Sequence, residues 1–193
     1  MTSEIFLVSF LSYVSGSIPF GLILTKLFLN QDIRNIGSKN IGATNVLRTG
    51  NKLIAALTLF LDITKGIVPI LITKYFFPNL IFLSGLMALL GHIFPVWIKF
   101  KGGKGVATYL GIIFALSLKL GLFFCISWLV ISAITKYSSL SSILSSLIIF
   151  LISFWENNFE LNLYLFITFV IILYTHRQNI IRIKNRTEDK IKL

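Results

Sequence analysis

The sequence predicts an all-α integral membrane protein of about seven transmembrane helices, some short, with the N-terminus outside and the C-terminus cytoplasmic. Three observations carry this. Of the 193 residues, 55% are hydrophobic and 13% charged, and a mean hydropathy of +0.86 leaves too little polar surface to coat a soluble globule. Apolar runs long enough to cross the bilayer hydrocarbon, which takes roughly 20 residues, recur along the chain. The net charge of +11 is concentrated in turns between those runs, as basic residues gather on the cytoplasmic side near anionic headgroups. Such a charge also suits nucleic acid, but in so apolar a chain the membrane accounts for it, and no nucleic-acid partner is expected. Cys125, the one cysteine, cannot form an intramolecular disulfide. The whole of 1–193 is expected to form a single membrane domain.

The first span, 5–29, is not a removable signal peptide: Glu4 stands where a basic n-region belongs, and the apolar run is too long. At its centre SGSIPFG (15–21) combines small residues with Pro19, which suits either close helix packing or a kink that opens room for a ligand. The polar stretch NQDIRNIGSKNIGATNVLRTGNK (30–52) sets Arg34, Lys39, Arg48 and Lys52 against Asp32 alone, and so belongs inside. Its small residues Gly37, Ser38, Asn40, Gly42, Thr44 and Asn45 suit an oxyanion cradle completed by Arg48, or ordinary turns. A Walker A loop is excluded, because Ala43 and Thr44 follow Gly42 where Lys and Ser/Thr are required. The second span, 53–77, carries Asp62 and Lys65 on one face, read first as an ion pair in a poor solvent, with Gly66 and Pro69 loosening the helix beyond them. The third, 80–98, ends near His92, which suits a core hydrogen-bond donor, a base or a phosphate ligand.

Next comes FPVWIKFKGGKGVAT (94–108), where Lys99, Lys101 and Lys104 alternate with Gly102, Gly103 and Gly105. Glycines let backbone N–H groups curl around an anion and lysines supply the opposing charge, so this turn is predicted to hold a phosphate at the membrane surface. Beyond it, 106–135 is too long for one untilted helix. Read as two spans, 106–118 and 121–135, broken near 119–121 and followed by 139–155 and 161–175, it puts Arg34, Lys39, Arg48, Lys52, Lys99, Lys101, Lys104, Lys136 and the basic tail on one side. Glu4, Lys74, Lys119, Glu156 and Glu160 fall opposite. The inner turn KYSSLSS (136–142) offers hydroxyls that either cap a helix or donate to phosphate. In the tail, His176 and Asn179 share a helix face, where Asn179 would orient the imidazole or hold a hydroxyl. Arg182, Lys184, Arg186, Lys190 and Lys192 suit a headgroup-binding surface, balanced in part by Glu188 and Asp189.

Separated polar elements thus gather on one side. Arg48, Lys101 and Lys104 with amides and hydroxyls suit a phosphomonoester, and His176 supplies a side chain of a type able to exchange a proton near neutrality. The sequence has no nucleophile elbow, metal-ligand cluster or cysteine beside a base, and neither His92 nor His176 begins an H-x-x-x-x-D pattern, since Trp97 and Ile181 stand at the fifth following positions. Direct transfer between two bound substrates, with no metal and no cofactor, is therefore expected. A phosphoester transporter would hold its charges near the midplane between repeated halves, and a lipid-binding scaffold has no use for His176.

SGSIPFG, NIGSKNIGATNVLR, LDITKG, GHIFPVWIKFKGGKGVAT, YSSLSS and HRQNIIRIKNRTEDKI, in that order along nearly the whole chain, resemble the bacterial membrane glycerol-3-phosphate acyltransferases that use acyl phosphate as donor. The resemblance implies a multi-pass protein of the bacterial plasma (inner) membrane with its active site facing the cytoplasm. It implies transfer of a fatty acyl group from acyl phosphate to the 1-hydroxyl of glycerol 3-phosphate, giving lysophosphatidate and phosphate, the first step of phospholipid synthesis. The partners implied are those two substrates and the lipid bilayer. The family-like site positions are Ser38, Asn40, Asn45 and Arg48, then Lys101, Gly102, Gly103, Lys104 and Gly105, then His176 and Asn179. Ser139 and Ser142 both fit the serine turn, and Glu188 fits a structural role. On this pattern His176, Asn179, Arg48 and Lys104 are catalytic and the others bind substrate. The donor phosphate is expected among the Gly102 and Gly103 amides, Lys104 and Ser38, and the acceptor phosphate near Arg48 and Lys101. One departure is Asn185-Arg186, where such proteins often carry a glycine before Thr-Glu, which bears on the tail's turn geometry.

Overall fold

An apolar run stays helical until a proline or a capping residue interrupts it, and the breaks in this chain follow that rule. The computed structural model describes residues 2–191, all of whose regular structure is helical; Lys192 of the basic tail lies outside the described residues. The chain falls into two compact units, Met1–Leu116 and Ser117–Leu193.

In the first unit, helices α1 (Thr2–Ser17) and α2 (Phe20–Leu29) are one apolar run broken at Ile18 and Pro19, because proline has no N–H to donate and disfavours helix at the residue before it. After α2 the chain makes a polar loop containing α3 (Ala43–Val46) and the short turn Leu47–Thr49. Asn51 then caps α4 (Lys52–Phe76), its Oδ1 accepting from the Ile54 N–H at 3.0 Å. Inside α4, Pro69 leaves the Lys65 carbonyl without its helical donor, and the Ser15 hydroxyl from α1 supplies one at 3.3 Å. Helices α5 (Ile81–Ile93) and α6 (Val106–Leu116) complete the unit. Helix α1 meets α5 through Gly16 and Gly91, and α4 meets α6 through Gly66 and Gly111; a Cβ at any of the four would run into the partner's backbone. The small residues of SGSIPFG therefore serve close packing.

The second unit begins with α7 (Leu118–Thr135). The break expected near 119–121 lies at Ser117 instead, whose extended backbone and hydroxyl cap α7 by accepting from the Leu120 N–H at 3.4 Å. Gly121, the residue that suggested the later break, is buried within α7. Helices α8 (Ser138–Ile152), α9 (Phe159–Thr175) and α10 (Arg177–Lys184) follow, with α10 bent 55° from α9.

Each of the seven expected segments is helical, but not all are long enough to cross. Among the described residues five stretches suffice by length and apolarity: Thr2–Leu29, Lys52–Phe76, Pro78–Ile98, Leu118–Thr135 and Ser138–Glu156. The bent pair α9 and α10 makes a sixth if counted as one span, whereas the 11 residues of α6 rise roughly 16 Å, well short of the hydrocarbon thickness. Phe6, Leu27 and Ile134 are 71%, 70% and 77% exposed, an outer surface suited to lipid rather than water.

Candidate active site

The two polar turns of the first unit rest on one small apolar core. Ile33, Ile41 and Val46 from the 30–52 loop are buried with Leu22, Leu24 and Ile54, and Ile98, just before the lysine-glycine turn, packs on the same cluster. The loop above that core is held together by Asn45. Its Nδ2 donates to the carbonyls of Ile33, Ile36 and Asn40 at 3.2, 2.9 and 2.7 Å, and its Oδ1 accepts from the Ser38 N–H at 2.9 Å. Asn40 closes a smaller turn, its Oδ1 accepting from the Gly42 N–H at 3.0 Å. Gly37 is left-handed at φ +52, and a Cβ there would meet Arg48 Cδ and Asn45 Oδ1, each at 2.6 Å. Arg48 thus lies across Gly37, with its polar neighbours fixed beneath it. Asn40 and Asn45, expected to bind substrate, are used by the loop itself, while Ser38 and Arg48 present exposed side chains. Asp32, the loop's acid, pairs with Arg34 at 2.6 Å, and that hydrogen bond lowers its pKa to about 2.

The lysine-glycine turn departs from expectation in one respect. The Gly102 and Gly103 N–H groups donate to the carbonyls of Ile93 and His92 at 3.0 and 3.1 Å, so they do not form the anion cradle. These glycines are needed for close approach: a Cβ on Gly102 would strike the His92 carbonyl and Pro95, and one on Gly103 would strike the His92 ring. Gly105 is left-handed at φ +88 and opens α6, whose first N–H bonded to a carbonyl behind it is that of Tyr109, to Gly105 O at 2.7 Å. The N–H groups of Val106, Ala107 and Thr108 precede that bond, as the first donors of a helix do, and Lys101 and Lys104 stand in the turn just before them. The turn is tied down from α1, where Tyr13 donates to the Phe94 carbonyl at 2.7 Å and Trp97 donates to Ser17 Oγ at 2.8 Å.

In the second unit the polar residues meet on Glu188, whose Oε1 accepts from Ser139 Oγ at 2.7 Å and Asn179 Nδ2 at 2.6 Å, and whose Oε2 accepts from Arg182 Nε at 2.7 Å. Burial pushes this carboxyl up, but the hydrogen bonds from Asn179, Ser139 and Arg182 outweigh it and hold the pKa below the usual glutamate value. Asn179, expected to orient His176, is committed through its Nδ2 to Glu188. The serines are not caps: Ser142 donates to the Ser138 carbonyl at 2.8 Å and accepts from Trp128 at 3.1 Å, so Ser139 joins the cluster and Ser142 joins helix packing. His176 is buried at the junction of α9 and α10, with Nδ1 2.8 Å from the Ile172 carbonyl. That partner calls for a proton on Nδ1, which makes Nε2 the basic nitrogen of the neutral ring. The tail closes by a Schellman pair, Arg186 N–H to Ile183 O at 3.0 Å and Thr187 N–H to Arg182 O at 2.8 Å, with Arg186 at φ +58 where glycine is favoured. The departure noted in the sequence falls at this residue. Arg182 as a partner of Glu188 was not legible beforehand; in sequence it is one cation among several.

The comparisons agree with the motif pattern. A family model described as glycerol-3-phosphate acyltransferase matches residues 6–186. The glycerol-3-phosphate acyltransferase of Pelagibacter ubique (strain HTCC1062) is 55% identical over 192 residues, 98% of this chain and 99% of that protein. That of Brucella ovis is 51% identical over 179 residues, 93% of this chain and 89% of that protein. The crystal structure of PlsY (YgiH), an integral membrane glycerol 3-phosphate acyltransferase, in its glycerol 3-phosphate form matches with a TM-score of 0.93 at 38% identity, over 97% of this chain and 96% of that one. Its lysophosphatidic acid form matches at 0.90 and 36%, over 97% and 95%.

Proposed function

The chain belongs to the glycerol-3-phosphate acyltransferase family and is an integral membrane enzyme that acylates glycerol 3-phosphate, and from that premise we propose that its donor is an acyl phosphate. One observation supports this above others: the compact unit Met1–Leu116 carries two cationic turns on one core, one with Arg48 and one with Lys101 and Lys104, which suits two phosphoryl groups. In a thioester donor no phosphoryl group is bonded to the acyl carbon, so only the acceptor's phosphate would stand close to the reacting bond.

In this reading Lys104, Ser38 and the α6 N-terminus hold the donor phosphate, and Arg48 and Lys101 hold glycerol 3-phosphate. The 1-hydroxyl oxygen of the acceptor bonds to the acyl carbonyl carbon, the bond from that carbon to the phosphate oxygen breaks, and inorganic phosphate leaves. The departing phosphate takes the hydroxyl proton with it. Charge grows on the departing phosphate, where cations and N–H dipoles already stand, so their hold strengthens towards the transition state. Asn179, Ser139 and Glu188 shape the helix junction that bears His176. The basic turns lie on the cytoplasmic side of the bacterial plasma membrane, as the charge asymmetry favours.

Purified enzyme given glycerol 3-phosphate and a long-chain acyl phosphate is expected to release lysophosphatidate and phosphate in equal amounts, and none with the matching acyl thioester. Product from the thioester alone would overturn the donor assignment.

A further inference from the structure

Beneath the lysine-glycine turn lies a buried polar chain that the reaction described above does not use. Asp62 and Lys65 form an ion pair at 2.8 Å with side chains 3% exposed, and Lys65 Nζ also donates to the Ile18 carbonyl at 2.6 Å. That carbonyl belongs to the α1–α2 break, and the Phe20 ring lies 5.6 Å beneath the ammonium. The pair therefore bridges α4 to the proline break. On its other side Asp62 Oδ1 is 3.8 Å from His92 Nδ1, and this ring nitrogen has no hydrogen-bond partner among the described residues. The opposite edge of the same ring stands against Gly103, where a methyl would collide with Nε2, Cε1 and Cδ2. The His92 carbonyl takes the Gly103 N–H as well. One residue thus holds Gly103 by its backbone and supports it by its ring, while a buried carboxylate faces the ring from behind.

Burying two charges and an imidazole is costly in a membrane protein, and a hydrophobic set of similar volume would hold the helices as well. What polar groups add is a single registry. We propose that His92, braced by the Asp62–Lys65 pair, is a positioning residue for acyl transfer: its ring is the seat of Gly103 and thereby sets where Lys101 and Lys104 reach. The proposal rests on the reading that this turn holds a phosphoryl group.

A mutant cycle between ring and seat tests it. Gly103→Ala places a methyl in the ring's space and is expected to lower kcat/KM roughly a hundredfold, chiefly through KM, as displacement of a binding loop does. In a His92→Ala background the space is vacant, and the same methyl is expected to cost less than about twofold more. Asp62→Asn should raise KM in the same direction as His92→Ala and add little to it. Should His92→Ala fail to fold, His92→Asn withdraws the ring from Gly103 while keeping a polar group towards Asp62, and the same ratio is read there. A Gly103→Ala penalty of equal size with and without the ring overturns the proposal. So does a His92 variant whose thermal stability in detergent falls while KM of the folded enzyme is unchanged. Lys104→Ala measured in parallel judges the phosphate reading separately: if its kcat/KM is that of the parent, that reading falls, whatever the cycle gives.

Discussion

In the first unit the polar turns satisfy their own backbone, through Asn45 in one and through Gly102 and Gly103 in the other, so that Arg48 and Lys101 stand out as side chains on a finished scaffold. In the second unit the polar side chains satisfy one another on Glu188, and the tail is joined to the start of α8 by that knot and by the Ile191 N–H donating to the Lys136 carbonyl at 2.8 Å. The contrast separates two kinds of functional residue. Removing a cation from the first unit should spoil binding and spare the fold, whereas removing the carboxylate from the second should loosen the fold around His176.

The largest effect is expected at Glu188. Glu188→Ala strands three donors, one of them an arginine, and should cost about 3 kcal/mol of stability, read as loss of melting temperature in detergent. Because the folded carboxyl titrates below its ordinary value of 4.5, its stabilisation is fully present above that value and is lost as the pH falls through the lower folded one. The parent should therefore show an acid-side loss of stability that the variant lacks, and identical acid limbs would remove Glu188 as the hub. Next come Arg48→Ala and Lys104→Ala, each expected to cost about 2 kcal/mol or more of transition-state stabilisation with melting temperature held, measured as kcat/KM. If either unfolds the enzyme instead, the contrast between the units fails. Smallest is Arg186→Gly, which relieves a left-handed residue in the tail's turn and should stabilise by about 1 kcal/mol without altering KM. A loss of stability there would mean that the arginine side chain holds the tail.

Much of this was legible in the chain alone, for identifiable reasons. Apolar runs announce helices because hydrocarbon tolerates no unpaired backbone, and the turns 30–52 and 99–105 point to an anion because cations and flexible backbone recur together there. The motif order led to the acyltransferase family, and the comparisons bear that out. The duties of individual residues were less legible. Gly102 and Gly103 resembled a cradle because glycine spacing does not say whether freed amides face a ligand or a neighbouring carbonyl. Asn179 resembled a partner of His176 because a shared helix face ignores the tail that folds back with Glu188.

The sequence by itself determined the solvent this protein folds in, the places where its helices stop and the charge its turns present, since these follow from hydropathy, proline, caps and net charge acting locally. Only the tertiary structure decided which polar group each donor found: Asn45 with three carbonyls, Lys65 with the Ile18 carbonyl at the proline break, Glu188 with Ser139, Asn179 and Arg182. Hydrogen bonds reach only about 3 Å, so residues 47 or 49 positions apart become partners only when packing has brought their helices together.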